Sequence, residues 1–377
     1  MRYRMLIRDT LPLCERCDAG LGQPLTGSQG LYCRRYPTSY TIWIRKLMRK
    51  GATLSCQRLR ADFHRKTIHM SHIYLLSPSS AVRDKAALRR GVKRLEAAGH
   101  QVEVDADALN RDTRFAGTDA ERLAAIKRAA ASGADTVMTT RGGYGLSRLL
   151  PALPYKAIAK SIDKGTHWVG FSDFTAFSLA VMAKTQRVTW AGPAVVEDFG
   201  ALDGIDEITN LCFDDLMTHM SEGTGWRIGK DDPTAFSAQG LTLWGGNLSM
   251  ITSLVGTPYL PAVTRGALFI EDVAEAPYRI ERMLTHLLHA GILANQKVIF
   301  LGAFNRFTAS PQDRGYGLKA VIAWLRAHTK ARVITGLPFG HVPTKVLLPV
   351  GQTVDVAATG REVLVLWPHD HNHAHHH

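Results

Sequence analysis

Three side chains that can together perform nucleophilic catalysis each follow a predicted strand. Ser172 comes directly after the apolar run HWVGF, Glu271 follows LFI, and His341 lies in GLPFGH after the strand ARVITG. A serine hydroxyl becomes nucleophilic when a base accepts its proton, and an imidazole serves as that base when a carboxylate fixes its tautomer. The three residues therefore supply the groups needed for acyl transfer, although their spacing alone does not show that they meet.

Each of these residues also has an ordinary structural interpretation. A serine that opens the helix DFTAFSLAVMAK is typical of an N-cap, and Phe174 stands where the nucleophile elbow of α/β-hydrolases has a second glycine. Glu271 or its neighbour Asp272 can equally cap a helix, and a single loop histidine is more often structural than catalytic. From the residues alone, both interpretations stay open.

A glycine-rich segment, TTRGGYGLSRLL, follows another predicted strand. Gly142 and Gly143 allow the backbone to turn sharply and to approach a ligand closely, and consecutive amides in such a turn can bind an anion. The spacing is neither that of a Walker loop nor G-x-G-x-x-G, so a simple tight turn is an equal alternative. Arg141 can bind a carboxylate or make an ordinary surface ion pair.

The elements that must position these residues alternate between strand and helix from Met70 onward. This pattern predicts an α/β protein in which residues 70–195 form an N-terminal domain with a mostly parallel, Rossmann-like sheet. Residues 196–240 are expected to be a linker, and residues 241–366 a second α/β domain that ends in antiparallel strands. Ligands bind beyond the carboxyl ends of parallel strands, and the candidate residues follow such strand ends.

Positive charge is concentrated in the first 69 residues, which carry +10 of the net +13. Residues 1–69 are expected to be a basic, Cys-containing leader that is disordered or non-native. Their four cysteines, Cys14, Cys17, Cys33 and Cys56, suggest a zinc site as an alternative, but the second pair lacks the close spacing of a zinc knuckle. The remaining chain is nearly balanced, which argues against nucleic-acid binding by the main body.

The termini and the apolar runs indicate a cytoplasmic protein. No apolar run approaches the roughly 20 residues that span a membrane, and the N-terminus lacks the features of a secretion signal. Residues 367–377 form a His-rich tail that is assigned no catalytic role.

Six motifs resemble those of the LD-carboxypeptidases, also called murein tetrapeptide carboxypeptidases. They are SPSS, RGGYGLSRLLP, VGFSDFTA, WGGNLSMITSLVGTPY, FIEDVAEAPYRIERML and GLPFGH. They occur in the order found in that family and extend from about residue 72 to about residue 350. Glu281 replaces an aspartate that is common in the family, and this change is conservative.

The resemblance implies a metal-free serine peptidase that needs no cofactor. Ser172 would be the nucleophile, His341 the general base and Glu271 its orienting partner, with Asp272 the next candidate. The amides of Asp173 and Gly143 would form the oxyanion hole. The implied reaction releases the terminal D-alanine of the murein tetrapeptide L-Ala-γ-D-Glu-meso-diaminopimelate-D-Ala during peptidoglycan recycling.

Further expectations concern substrate and assembly. Arg141, Gly142, Tyr144 and Asn247 are expected to contact the muropeptide substrate, and similar enzymes are cytoplasmic homodimers.

Two alternatives remain beside this function. A peptidase of the microcin C self-immunity type would cut acylated nucleotide analogues, with Trp190 or Trp244 as candidates for stacking on adenine. A protein of another class would bind anions or muropeptides through the glycine loop without catalysis.

Overall fold

The computed structural model describes residues 70–368, and the first of its two β-sheets is mostly parallel. The predicted leader, its zinc hypothesis and the histidines of the tail lie outside these residues. The strands of the first sheet are His72–Leu76 (β1), Gln101–Val104 (β2), Thr136–Thr139 (β3), His167–Gly170 (β4), Thr189–Ala191 (β5) and Leu348–Val350 (β11). The strand order is β11-β5-β4-β3-β1-β2, and β11 alone runs antiparallel to its neighbour, β5.

The second sheet is mixed, with strand order β10-β9-β8-β7-β12-β13-β6. Strands β10 to β7 are parallel, whereas β7, β12, β13 and β6 pair in antiparallel fashion. The strands are Gly223–Arg227 (β6), Ala235–Asn247 (β7), Gly266–Val273 (β8), Gln296–Asn305 (β9), Arg332–Thr335 (β10), Thr353–Thr359 (β12) and Glu362–Leu366 (β13). A mostly parallel first sheet and a second sheet with an antiparallel part confirm the predicted fold class.

Helices connect the strands and cover the sheets. The α-helices are Lys85–Ala97 (α1), Asp119–Ala131 (α2), Tyr155–Asp163 (α3), Phe174–Thr185 (α4), Glu207–Met217 (α5), Leu248–Ser253 (α6), Pro277–His289 (α7) and Leu318–His328 (α8). The shorter turns are the 3₁₀ segments Leu146–Arg148, Leu150–Ala152, Leu293–Asn295 and Pro311–Asp313 and the π-helix Val195–Phe199. No helix within residues 70–368 combines the length and apolar character needed to cross a membrane.

Helix α4 is the central helix of the fold. Its sequence, FTAFSLAVMAKT, is apolar on all faces, and every residue from Phe174 to Val181 is buried. A helix without a polar face is stable only when it is enclosed, and α4 contacts strands β5 and β11 of the first sheet and β7 of the second. The enclosed helix therefore holds the turn that precedes it, which contains Ser172, in a fixed position.

The segment 196–240, predicted as a linker, contains regular elements. It holds most of the π-helix, α5, β6 and the first part of β7. Strand β6 gives a weak sequence signal because Gly223 and Gly225 resemble turn residues. Glycine is required at these two strand positions because a Cβ at either one would come within 2.7 Å of the Leu366 or Leu364 side chain.

Candidate active site

Ser172 lies at a strained turn between strand β4 and helix α4. Its φ is 62°, a left-handed conformation that is uncommon for a residue with a Cβ and is found at functional turns. Gly170 makes the turn possible, since a Cβ there would lie 2.7 Å from the Phe174 ring and 2.8 Å from Thr139 Oγ1. The strand–turn–helix thus has the geometry of a nucleophile elbow without the second glycine of that motif.

The hydroxyl of Ser172 is directed at His341 and does not cap α4. The N-cap of the helix is Asp173, which makes no side-chain cap hydrogen bond. Ser172 Oγ lies 3.1 Å from His341 Nε2, and His341 Nδ1 lies 2.8 Å from Glu271 Oε2. If Nδ1–H donates to the carboxylate, Nε2 is left as the acceptor for the serine O–H. The structure therefore joins the three residues in one chain of hydrogen bonds.

Glu271 is fully buried in strand β8, where a second donor fixes it. Asn247 Nδ2 lies 3.1 Å from Glu271 Oε1 and 3.0 Å from Asp272 Oδ1. Asp272 also accepts from the backbone N–H of Ser249, at 2.9 Å, in the first turn of α6. Both roles considered for the carboxylates are thus present, with Glu271 on the histidine and Asp272 at a helix start.

Asn247 differs from its expected role as a substrate contact. Its side chain is only 6% exposed and is occupied by the two carboxylates. Its backbone N–H also donates to Thr175 Oγ1 of helix α4 at 3.0 Å. Asn247 therefore lies behind Glu271, where it orients the carboxylate and connects β7 to the helix that follows Ser172.

The glycine loop packs against Ser172. A Cβ on Gly142 would lie 2.7 Å from Ser172 Cβ and 3.0 Å from its Oγ, and a Cβ on Gly143 would collide with Ser80. Within residues 70–368, no backbone oxygen accepts the N–H of Gly143 or that of Asp173. Asp173 directly follows the serine in the chain, and Gly143 directly follows the glycine that packs against it.

The side chain of Asp173 fastens this loop to the start of α4. Its carboxylate accepts from the backbone N–H of Leu146 at 2.9 Å and from the Ser79 hydroxyl of the SPSS motif. Asp173 is 1% exposed, and burial raises the pKa of its carboxyl group. The SPSS motif, which had no assigned role, thus helps to hold the loop beside the serine.

Arg141 and Tyr144 lie at the two ends of the glycine pair. The guanidinium of Arg141 donates to the Ala81 carbonyl at 3.2 Å and lies 3.5 Å from a Glu197 carboxylate oxygen. Burial raises the pKa of Glu197. Tyr144 is 41% exposed, and its ring packs against Phe115 with ring centroids 6.0 Å apart. Of the predicted substrate contacts, Tyr144 is the most accessible.

The two candidate aromatic residues for nucleotide stacking belong to the core. Trp244 is 1% exposed and donates to Gln296 at 2.9 Å. Trp190 is 8% exposed and packs edge-on against Trp367, with centroids 6.0 Å apart. Both rings are thus largely enclosed by the protein.

Several residues near the site had no signal in the sequence. Asp198 of the π-helix and Lys345, downstream of His341, form a buried ion pair at 2.5 Å. Buried partners that are distant in sequence cannot be recognised from spacing. No group of three or more His, Cys, Asp or Glu residues in the described part of the chain has the arrangement of a metal site.

Comparison with known proteins identifies related sequences over most of the described chain. Two family models match, the LD-carboxypeptidase N-terminal domain over residues 73–192 and the LD-carboxypeptidase C-terminal domain over residues 241–356. A probable murein peptide carboxypeptidase from Bacillus subtilis is 30% identical over 68% of this chain and 80% of its own length. A putative carboxypeptidase from Synechocystis is 30% identical over 75% of this chain and 90% of its own length.

Solved structures show the same fold. A muramoyltetrapeptide carboxypeptidase from Oxalobacter formigenes is 38% identical with a TM-score of 0.71, covering 78% of this chain and 98% of that one. The microcin C7 self-immunity protein is 23% identical with a TM-score of 0.69, covering 79% and 96% of the two chains.

Proposed function

This chain belongs to the LD-carboxypeptidase family and is therefore a carboxypeptidase, and we propose that it is of the serine type and releases the terminal D-alanine of murein tetrapeptide. The observation that carries the proposal is the hydrogen-bonded chain from Ser172 through His341 to the buried Glu271, at 3.1 and 2.8 Å. The names of its murein-peptide and muramoyltetrapeptide relatives support the substrate class.

Acylation starts from the serine hydroxyl. Ser172 Oγ attacks the carbonyl carbon of the L-centre of the third residue, and its proton passes to His341 Nε2. Glu271 stabilises the imidazolium that forms. The N–H groups of Asp173 and Gly143 are proposed to stabilise the negative charge on the carbonyl oxygen, as preorganised backbone donors do in other acyl-transfer sites.

The leaving group and the deacylation step use the same base. The imidazolium of His341 gives its proton to the departing amine, so that D-alanine leaves as a neutral amine and the acyl group remains on Ser172. Water then donates a proton to His341 as its oxygen attacks the ester. Collapse of this second tetrahedral intermediate restores the serine hydroxyl and frees the tripeptide.

Arg141 and Tyr144 are proposed to contact the substrate. Arg141 directly precedes the glycine that packs against Ser172, and its guanidinium suits a carboxylate such as that of D-alanine. Tyr144 is exposed on the other side of the glycine pair and can pack along the peptide.

The experiment compares two substrate classes by mass spectrometry of the products. The purified chain is incubated with murein tetrapeptide and, separately, with an aminoacyl sulfamoyl adenosine. We expect release of D-alanine from the first, and a fall of about 10⁴-fold or more in Ser172→Ala. The control is Ser253→Ala, an exposed serine in α6, which should leave the rate unchanged.

Two results would contradict the proposal. Unchanged D-alanine release in Ser172→Ala would refute the serine mechanism. Cleavage of the nucleotide analogue with no action on tetrapeptide would instead assign the chain to the microcin type of activity.

A further inference from the structure

The loop that carries His341 is fastened both to the second sheet and to elements outside that sheet. On its own side, Asn305 at the end of β9 donates to the His341 carbonyl at 2.9 Å. Downstream, Thr209 of helix α5 donates its hydroxyl proton to the Pro343 carbonyl at 3.1 Å and accepts the N–H of Lys345 at 2.7 Å. The loop is thus anchored to a helix from the segment between the two sheets.

Lys345 is the central group of this anchorage. It is 2% exposed, and its ammonium lies 2.5 Å from Asp198 Oδ1 in the π-helix and 2.6 Å from the Val342 carbonyl. Asp198 is itself held, since it accepts the backbone N–H of Ala194 at 2.8 Å. Both charges are therefore desolvated and oriented by further hydrogen bonds.

The same ammonium contacts the neighbours of both reacting residues. It lies 4.8 Å from the centre of the Phe171 ring, and Phe171 directly precedes Ser172. Its acceptor Val342 directly follows His341, and the Phe171 and His341 rings are 5.0 Å apart. One side chain thus connects the turn of the nucleophile with the loop of the base.

A buried ion pair is not needed for stability, because an apolar pair of similar shape is often as stable or more stable. The charged pair instead fixes orientation, because the ammonium contacts a carboxylate, a carbonyl and a ring that lie on three different segments of the chain. We propose that Asp198 and Lys345 are positioning residues that set the distance between Ser172 and His341, an inference that rests on the serine mechanism proposed above.

The test uses a fluorophosphonate, which reacts with an activated serine and requires no murein substrate. The rate of Ser172 labelling is measured in Asp198→Asn/Lys345→Met, which removes both charges and leaves no buried charge unpaired. We expect labelling about 100-fold slower than in the unchanged chain, because displacement of about 1 Å at reacting groups costs this much. The melting temperature should stay within a few degrees.

A second pair of variants keeps the test valid if Asp198→Asn/Lys345→Met does not fold. Thr209→Val removes the hydroxyl that holds the loop, and Thr209→Ser keeps it. We expect labelling about tenfold slower in the first and close to normal in the second. With tetrapeptide, kcat should fall in parallel while KM changes less than about threefold, because the substrate contacts are untouched.

The control is another ion pair, at the edge of the first sheet. Asp105 is buried after the edge strand β2 and lies 2.8 Å from Arg128. Asp105→Asn/Arg128→Met should leave the labelling rate unchanged, whatever it does to stability.

The outcomes separate this inference from the proposed function. Labelling at the normal rate in both Asp198→Asn/Lys345→Met and Thr209→Val, with Ser172 labelled in the unchanged chain, would overturn the positioning role alone. Absence of labelling in the unchanged chain would overturn the serine mechanism and this inference together.

Discussion

Replacing Glu271 by glutamine removes the negative charge beside His341 while nearly keeping the shape of the side chain. It therefore tests directly whether this charge and its hydrogen bond set the state of the imidazole. Glu271 accepts from His341 Nδ1 at 2.8 Å with one oxygen and from Asn247 Nδ2 at 3.1 Å with the other. Asn247 cannot turn its amide, since its Oδ1 accepts the Met250 N–H at 3.2 Å and its Nδ2 donates to Asp272 at 3.0 Å. The glutamine must therefore direct its oxygen at Asn247 and its NH₂ at the histidine.

This orientation stabilises the wrong tautomer of His341. An NH₂ group that donates to Nδ1 leaves the ring proton on Nε2, which faces Ser172 Oγ and can then no longer accept its proton. The loss of orientation and of the negative charge in a serine triad costs about 10⁴-fold in kcat, which is about 5.4 kcal/mol of barrier at 1.36 kcal/mol per tenfold. We expect this loss in Glu271→Gln, measured as D-alanine release from murein tetrapeptide.

Two compensating substitutions should reverse part of the loss. In Glu271→Gln/Asn247→Asp/Asp272→Asn, the new carboxylate at 247 accepts from the glutamine NH₂ and still accepts the Met250 N–H. The change at 272 prevents two carboxylates from facing each other at 3.0 Å. The glutamine oxygen is then free to face Nδ1–H. We expect at least about a tenfold recovery over Glu271→Gln. A single variant within tenfold of the unchanged chain, or a triple variant no faster than the single one, would refute the tautomer mechanism.

The surroundings of the site lead to three further predictions. Gly142→Ala should lower kcat about 100-fold, because its Cβ would lie 2.7 Å from that of Ser172. The control is Gly317→Ala, whose Cβ would meet its nearest neighbour at 3.8 Å and whose φ is negative. Burial raises the pKa of Asp173, so its ionisation destabilises the fold as pH rises above about 3.9, the ordinary Asp value. The free energy of unfolding of Asp173→Asn, measured with urea, should therefore rise relative to that of the unchanged chain from pH 4 to pH 8. A difference that stays constant over this range would contradict the prediction. Burial also raises the pKa of Cys212 to about 11, so little reactive thiolate is present at pH 8. Peptide mapping after iodoacetamide treatment at pH 8 should find slow modification of Cys212 in the folded protein and fast modification in guanidinium. Rapid modification of Cys212 in the folded chain would disprove this.

The architecture was accessible from sequence because its signals are local. Alternating strand and helix patterns predicted the parallel first sheet, and turn glycines near the C-terminus predicted the antiparallel strands of the second. The regular elements within residues 196–240 were not accessible from sequence, because β6 contains glycines that are required by packing against β13. Those glycines resemble a loop in the sequence, and only the partner strand explains them.

The site was accessible in its parts but not in its assembly. The types of Ser172, Glu271 and His341 suggested their chemistry, whereas the choice between helix cap and nucleophile depended on where a loop from another sheet would lie. Asn247 was assigned to the substrate because nothing in its local sequence shows that it packs behind a carboxylate. Lys345 gave no signal, since its partner Asp198 is far away in the chain.

The position of strand β11 in the chain means that the first sheet is completed late in synthesis. It returns from the C-terminal part of the chain to pair with β5, so the first sheet keeps an unpaired edge until residues 348–350 have been made. His341 also arrives only shortly before this strand, long after Ser172. Under the proposed mechanism, a growing chain carries its nucleophile without a base while residues 173–340 are made, and a product that lacks His341 is inert toward peptides. The last strand to pair in the first sheet closes its edge just after the proposed base has been made.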